Sequence, residues 1–136
     1  MTLSLSADEV LATTRAVRHR LDFDRPVDEN FPCTPAIFIP CIEGRLDGAP
    51  AGLQALRWGS VIQGAWSFCL AARNRGLGTC WTTVHLAREQ EVAEILGIPY
   101  DDVQQVALLP VAHTMGTDFK PGRRKSFDQC VHVNGW

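Results

Sequence analysis

Two clusters of positive charge stand near opposite ends of this chain. Arg15 and Arg18 lie three residues apart, and His19 and Arg20 extend the run. Far downstream, Pro121-Gly122-Arg123-Arg124-Lys125 forms a second compact basic group. If the first cluster closes a helix, a spacing of three puts Arg15 and Arg18 on one face. Two guanidinium forks on one face can converge on an anion such as a phosphate, with paired hydrogen bonds. The same residues suit a solvated helix end whose charges complement the dipole, and the residues alone favour that role. Cys80 and His85, five apart, carry the types of a nucleophile and its base. That spacing is non-specific, and a cysteine in an apolar strand is usually inert.

Five cysteines (Cys33, Cys41, Cys69, Cys80, Cys130) form no CxxC pair and no metal-ligand spacing. Their number is odd, and Cys69 sits within an apolar helix. Reduced cytoplasmic thiols used as small hydrophobes are expected, with neither disulfides nor a metal. At 136 residues the chain is expected to form a single domain with a real core. A net charge of -2 argues against a general nucleic-acid binder. No apolar run reaches membrane-spanning length, and the opening MTLSLSADEV has no basic start of a signal peptide.

The elements that must position these residues centre on Trp58 to Thr83, WGSVIQGAWSFCLAARNRGLGTCWTT. Ser60 as N-cap and Gln63 three residues on predict a helix start. Val61 to Ala72 is apolar on nearly every face, which predicts a helix covered on all sides, by the fold or by the fold and a second copy. Arg73, Asn74 and Arg75 suit its C-terminus and Gly76 a left-handed stop. Leu77-Gly78 is expected to turn, and Thr79 to Val84 to be a strand.

Upstream, Ser6-Ala7-Asp8-Glu9 is a capping box, with Leu5 and Val10 as a hydrophobic staple, for a helix from about Ala7 to Val17. Leu21 to Val27 reads as an extended link. Asp28-Glu29-Asn30 begins a helix that Phe31-Pro32-Cys33-Thr34-Pro35 interrupts. Ala36 to Ile42 predicts a strand covered on both faces, with Pro40 marking an edge or bulge. Glu43 to Gly52 reads as a loop, and Leu53 to Arg57 carries no clear signal. A helix from about Ala87 to Leu96 should bury Val92, Ile95 and Leu96 and stop at Gly97. Val103 to Ala112 predicts another strand, Ser126 to Val131 one helical turn, and Trp136 a packed terminus. The sum is an α+β or α/β layered fold with a small sheet against helices.

Four ordered blocks resemble the nitroreductase family of FMN-dependent oxidoreductases. TTRAVRHRLDFDRPV is similar to the family's opening Arg-Arg-Ser-x-Arg segment. AWSFCLAARNRGLGTCWTT is similar to its central helix, Gly-Leu-Gly turn and strand. EVAEILGIPYDDVQQVALLPVAHT resembles its helix, Leu-Gly-Ile-Pro and strand block, and FKPGRRKSFDQCVH its closing basic segment. Between DRPV and PAIFIPC the family's block of helices and a strand, with a Ser-Asn-x-Gln-Pro-Trp-like loop along the flavin, is missing. The resemblance therefore implies a nitroreductase-like α+β fold reduced by an internal deletion.

The resemblance also implies a site. Arg15 and Arg18, with Arg123 and Arg124, would hold the FMN phosphate. Trp81, Thr82 and Thr83 match positions along the isoalloxazine edge, where backbone amides can bias flavin reduction; as residues they equally suit a β-strand and a core aromatic. Two positions depart from the pattern: Thr14 stands where an arginine is common and Ala16 where a serine donates a hydroxyl, a loss of roughly 1 kcal/mol. The implied activity is hydride transfer from NAD(P)H through FMN to a nitroaromatic, quinone or similar small acceptor, with no catalytic side chain. The implied assembly is a homodimeric flavoprotein with FMN at the interface. The alternative is a catalytically degenerate flavin-binding or storage module, or a dimerisation subunit.

Overall fold

The computed structural model describes residues 2–25, 27 and 36–136. The Asp28–Asn30 helix start and the Phe31–Pro35 interruption lie outside the described residues.

Helix α1 spans Ala7–Thr13 and opens on the expected capping box: the Glu9 amide donates to Ser6 Oγ at 3.2 Å, and the Ser6 amide to the Glu9 carboxylate at 2.8 Å. It ends four residues short of Val17. Thr13 and Thr14 turn their hydroxyls back onto the carbonyls of Glu9 and Val10, at 2.6 Å each. Two consecutive β-branched residues that back-bond in this way are poor helix extenders. Arg15 and Arg18 are thus beyond the helix, and no helical face pairs them.

The apolar run Ala36–Ile42 is two strands. β2 (Ala36–Phe38) and β3 (Cys41–Glu43) belong to different sheets. Pro40 lies between them; without an N–H it cannot continue a ladder, and the chain changes sheet there. β2 is not covered on both faces, since Ile37 is exposed.

Helix α2 runs Ala51–Asn74, starting nine residues before Ser60. Pro50 occupies the N-cap, and Ser60 donates its hydroxyl to the Leu56 carbonyl inside the helix, so it caps nothing. Glycines at 52 and 59 do not stop it, each costing only about 1 kcal/mol against alanine, while Trp58 and Val61 pack on the main core. That core is Ile42, Leu46, Cys69, Val106, Ala107 and Leu109, with the Phe38 and Phe68 rings stacked at 4.1 Å. One chain does not enclose α2: Leu53, Leu56, Ile62 and Trp66 stay exposed.

Gly76 takes its left-handed conformation at φ +74, and Leu77-Gly78, expected as a turn, already belongs to β4 (Leu77–Thr79). The strand expected to reach Val84 stops at Thr79. Thr82 forms an isolated bridge to Leu108, and a 3-10 helix covers Val84–Arg88. Helix α3 (Glu89–Leu96) ends at left-handed Gly97, with Ile98 N–H bonded to the Ala93 carbonyl. Its buried residue is Ala93, and Ile95 is 82% exposed, against the stripe expected from the sequence.

The run from Val103 divides into β5 (Val103–Gln105), which pairs antiparallel with β3, and β6 (Leu109–Thr114). β6 is the axis of the larger sheet. His113 faces both Asp22 of β1 (Leu21–Asp22) and Leu77 of β4, and Val111 faces both Ala36 and Thr79. A strand has two edges, so β4 fills one and β1 and β2 share the other. A second core of Val17, Leu21 and Ala112, with Phe119 against it, lies at the β1 end. Near the C-terminus a 3-10 turn covers Phe127–Gln129, and Trp136 is fully exposed, with its ring against that of His132.

Candidate functional site

Beyond α1 the chain is extended. Ala16 bridges Thr79 in parallel, and Val17 donates its amide to the Thr79 carbonyl at 2.9 Å. This anchors Arg15–Arg20 along the end of β4, with Val17 turned into the second core. The returning segment after β6 is tied to the same place: Met115 N–H bonds the Arg20 carbonyl at 2.8 Å, and Gly122 N–H reaches the Ala12 carbonyl at 3.3 Å.

Between the two segments lies a cleft of about 840 Å³. Arg15, Arg18, Arg123 and Arg124 all line it, with Arg20 and Lys120. Six lysine and arginine side chains thus face one carboxylate, Asp118. That carboxylate is engaged: Arg20 Nη2 meets Asp118 Oδ1 at 2.6 Å, and Arg20 Nε donates to the Met115 carbonyl. The hydrogen bond from Arg20 holds the Asp118 carboxyl below the usual carboxylate range. None of Arg15, Arg18, Lys120, Arg123 and Arg124 has an ion-pair partner among the described residues. A concave surface of guanidiniums without counterions suits a dianionic phosphate, which accepts two hydrogen bonds from each fork.

The two departures noted in the sequence are plain in space. Thr14 is buried with its hydroxyl bonded to Val10 O, so it presents nothing to the cleft. Ala16 lines the wall without a donor.

Trp81, Thr82 and Thr83 do not line this cleft. They follow β4, whose Thr79 is bonded to the arginine segment. The Thr82 amide donates to the Leu108 carbonyl at 3.0 Å, and its carbonyl accepts from Leu108 at 2.9 Å, so its backbone is engaged. Trp81 and Thr83 are exposed at the surface. No hydrogen bond joins Cys80 to His85 among the described residues, and no cluster there gathers three His, Cys, Asp or Glu for a metal. Cys41, Cys69, Cys80 and Cys130 are free thiols. Among the described residues no helix is long and apolar enough to cross a membrane.

Lys120 and Phe119 escaped the sequence reading, as did buried Arg73 beneath them. A lysine in a loop and an arginine at a helix end are too common to stand out; the one available signal was the closeness of Lys120 to the second basic cluster.

Chains of similar fold carry related names. A candidate NADH dehydrogenase/NAD(P)H nitroreductase from Parabacteroides distasonis ATCC 8503 superposes with a TM-score of 0.63 at 20% identity, covering 94% of this chain and 97% of that one. A nitroreductase-like family protein from Bacillus cereus gives 0.60 at 15% identity, covering 99% and 100%. A further candidate NADH dehydrogenase/NAD(P)H nitroreductase, from Bacteroides thetaiotaomicron VPI-5482, gives 0.58 at 14%, covering 100% and 89%. These likenesses establish the fold. No curated protein matches the chain by sequence. The sequence profile of the nitroreductase family matches residues 29–116, well over half the chain. With the α+β fold and the four ordered sequence blocks in agreement, this chain is a member of the nitroreductase family.

Proposed function

We propose that the cleft holds the phosphate of FMN and that the protein is an FMN-dependent oxidoreductase taking hydride from NAD(P)H to a nitroaromatic, quinone or similar small acceptor. One observation carries the reading: Arg15 and Arg18 from one end of the chain and Arg123 and Arg124 from the other line a single cleft whose only acid among the described residues is already paired. Bringing like charges together from so far apart in sequence is unfavourable unless an anion joins them. When bound, FMN supplies the hydride-carrying chemistry. The chain's own work is to bind the phosphate, orient the group and exclude competing ligands. No side chain is assigned as catalytic.

A homodimer fits the same reading. A second copy would cover exposed apolar residues of α2, Leu53, Leu56, Ile62 and Trp66. Trp81 and Thr83, exposed on the segment leaving β4, remain the candidates for the flavin edge. Thr82 would contribute through its side chain, because its amide is taken by Leu108. That engagement, with Thr14 and Ala16, favours the second reading, a flavin-binding or dimerising subunit without turnover.

The test is the absorption spectrum of purified protein loaded with FMN, before and after NADH or NADPH under anaerobic conditions. Bleaching of the flavin band supports the oxidoreductase. Retained flavin that neither nucleotide bleaches favours the second reading. A protein that cannot retain FMN sinks the oxidoreductase and the flavin-binding module, and leaves only the dimerising subunit.

A further inference from the structure

Arg73 is the last basic residue of α2 and does not line the cleft. It is only 5% exposed. No carboxylate lies within ion-pair distance among the described residues, and its Nη1 has no hydrogen-bond partner. Burial, and secondarily the nearby charge of Arg20, pushes its pKa below the usual arginine range. A buried guanidinium with no counterion is a poor stabiliser of a fold, and an apolar side chain of similar volume does as well or better.

What Arg73 does hold is the turn leading into the cleft's second wall. Its Nη2 donates to the Thr117 carbonyl at 2.9 Å and its Nε to Thr13 Oγ1 at 3.3 Å. Its guanidinium lies over the Phe119 ring at 4.7 Å, and Arg20 lies over the same ring at 4.4 Å. Arg20 also grips the Met115 carbonyl and Asp118. The turn between them passes through Gly116 at φ +79, where a Cβ would come within 2.5 Å of Arg20 Nη2. Two arginines thus clamp the 115–119 turn around Phe119. Lys120, Arg123 and Arg124 follow directly.

We propose that Arg73 is a positioning residue for the anion cleft, acting through Thr117 and Phe119 to set Lys120, Arg123 and Arg124 opposite Arg15 and Arg18. The effect on affinity rests on the phosphate reading above; the clamp itself does not. A guanidinium can donate to Thr117 and Thr13 and stack on Phe119 at once because its donors are planar and spread; an ammonium cannot. The geometry, beyond the charge, is what the site uses.

The experiment compares the full chain with Arg73→Lys and Arg73→Met. Three quantities are read: the thermal midpoint, calorimetric affinity for inorganic phosphate and for FMN, and the rate of tryptic cleavage after Arg123 and Arg124 relative to cleavage after exposed Arg88. Arg73→Met should melt at the same or a higher temperature. It should nevertheless bind both anions about fivefold more weakly and be cut about fivefold faster after Arg123 and Arg124. Arg73→Lys should also weaken binding and speed cleavage, although it keeps the charge. Three results overturn the proposal: binding and cleavage unchanged in Arg73→Met, a fall in its melting temperature that tracks the loss of binding, or full rescue by lysine. If the unaltered protein binds neither anion, the phosphate reading fails, while the cleavage rates still decide the clamp.

Discussion

Arg20 and Asp118 meet at 2.6 Å, and that contact engages the one acid, among the described residues, in a cleft that six lysine and arginine side chains line. Asp118 is therefore expected to oppose anion binding at long range while helping to orient Arg20 locally. Arg20 keeps a second anchor on the Met115 carbonyl, so losing the pair does not release it.

Asp118→Asn should bind inorganic phosphate roughly twofold more tightly at low ionic strength, with the gain fading as salt is raised. Weaker binding in the variant would show that orientation of Arg20 outweighs the field. The pH sign is fixed by the direction of the shift. The Asp118 carboxyl is held low in the folded chain, chiefly by Arg20. Its contribution to stability is thus present above the unfolded value near 3.8 and disappears as pH falls through the lower folded value. Asp118→Asn and the unaltered chain should converge in stability at the acid end.

Away from the cleft, Glu89 ties three elements together. Its carboxylate accepts from Arg45 at 3.0 Å and from the Gln105 amide at 2.7 Å, and its carbonyl accepts from Gln105 Nε2 at 2.9 Å. Arg45 in turn donates to the Tyr100 carbonyl and lies over the Tyr100 ring at 4.0 Å. Both partners of the pair are largely buried, so removing one leaves an uncompensated charge. Glu89→Ala should cost about 3 kcal/mol, at the lower end for a buried pair because Arg45 retains Asp47. A urea midpoint lowered without a change of slope would confirm it. Phosphate affinity of the folded protein should be unchanged.

Much of the architecture was legible because it is local. Ser6 and Glu9 cap one turn with groups three residues apart, and Gly76 and Gly97 stop helices in conformations that few other residues adopt. Pro40 was legible as a break, though not as a change of sheet, because the pairing partners of β2 and β3 lie 60 to 75 residues away. Ser60 misled because a serine hydroxyl can satisfy itself on the preceding turn as readily as it caps a new one. Only the packing of Trp58 and Val61 says which, and that is a tertiary fact. The basic clusters were visible as clusters. Their meeting depends on Val17, Gly122 and the β6 pairings, none of which the charges themselves reveal. Arg73 was legible as a helix end and not as a clamp, because a clamp is defined by the carbonyls and the ring it touches.

Gly78 marks where β4 packs against the second core. A Cβ there would come within 2.7 Å of Leu21 Cδ2 and 2.8 Å of Thr114 Cγ2, with Val17 Cγ2 at 3.1 Å. These side chains are held by β1, β6 and the arginine segment, so none can retreat without moving a strand. Gly78→Ala should destabilise by about 1–3 kcal/mol as an overpacked site. Because Val17 sits between Arg15 and Arg18, the same variant should also weaken phosphate binding. A thermal melt and a phosphate titration on one preparation check both, and an unchanged melting temperature would mean the strand can shift.

His85 carries both ring nitrogens buried and without a hydrogen-bond partner among the described residues. Burial pushes its pKa below the usual 6.5, with Glu89 opposing the shift in part. Below 6.5 the unfolded chain takes up a proton that the folded chain resists, so stability is lost as pH falls from 6.5 towards the folded value and is fully present above 6.5. His85→Leu cannot titrate and leaves no unpaired nitrogen, so at pH above 7 it should be no less stable than the unaltered protein. As pH falls below 6.5 the unaltered chain should lose stability relative to the variant until the lower folded value is reached. The carboxylates common to both proteins cancel in that difference. Urea midpoints measured across the range decide the point, and parallel curves would mean that His85 finds a proton acceptor or water in the folded state.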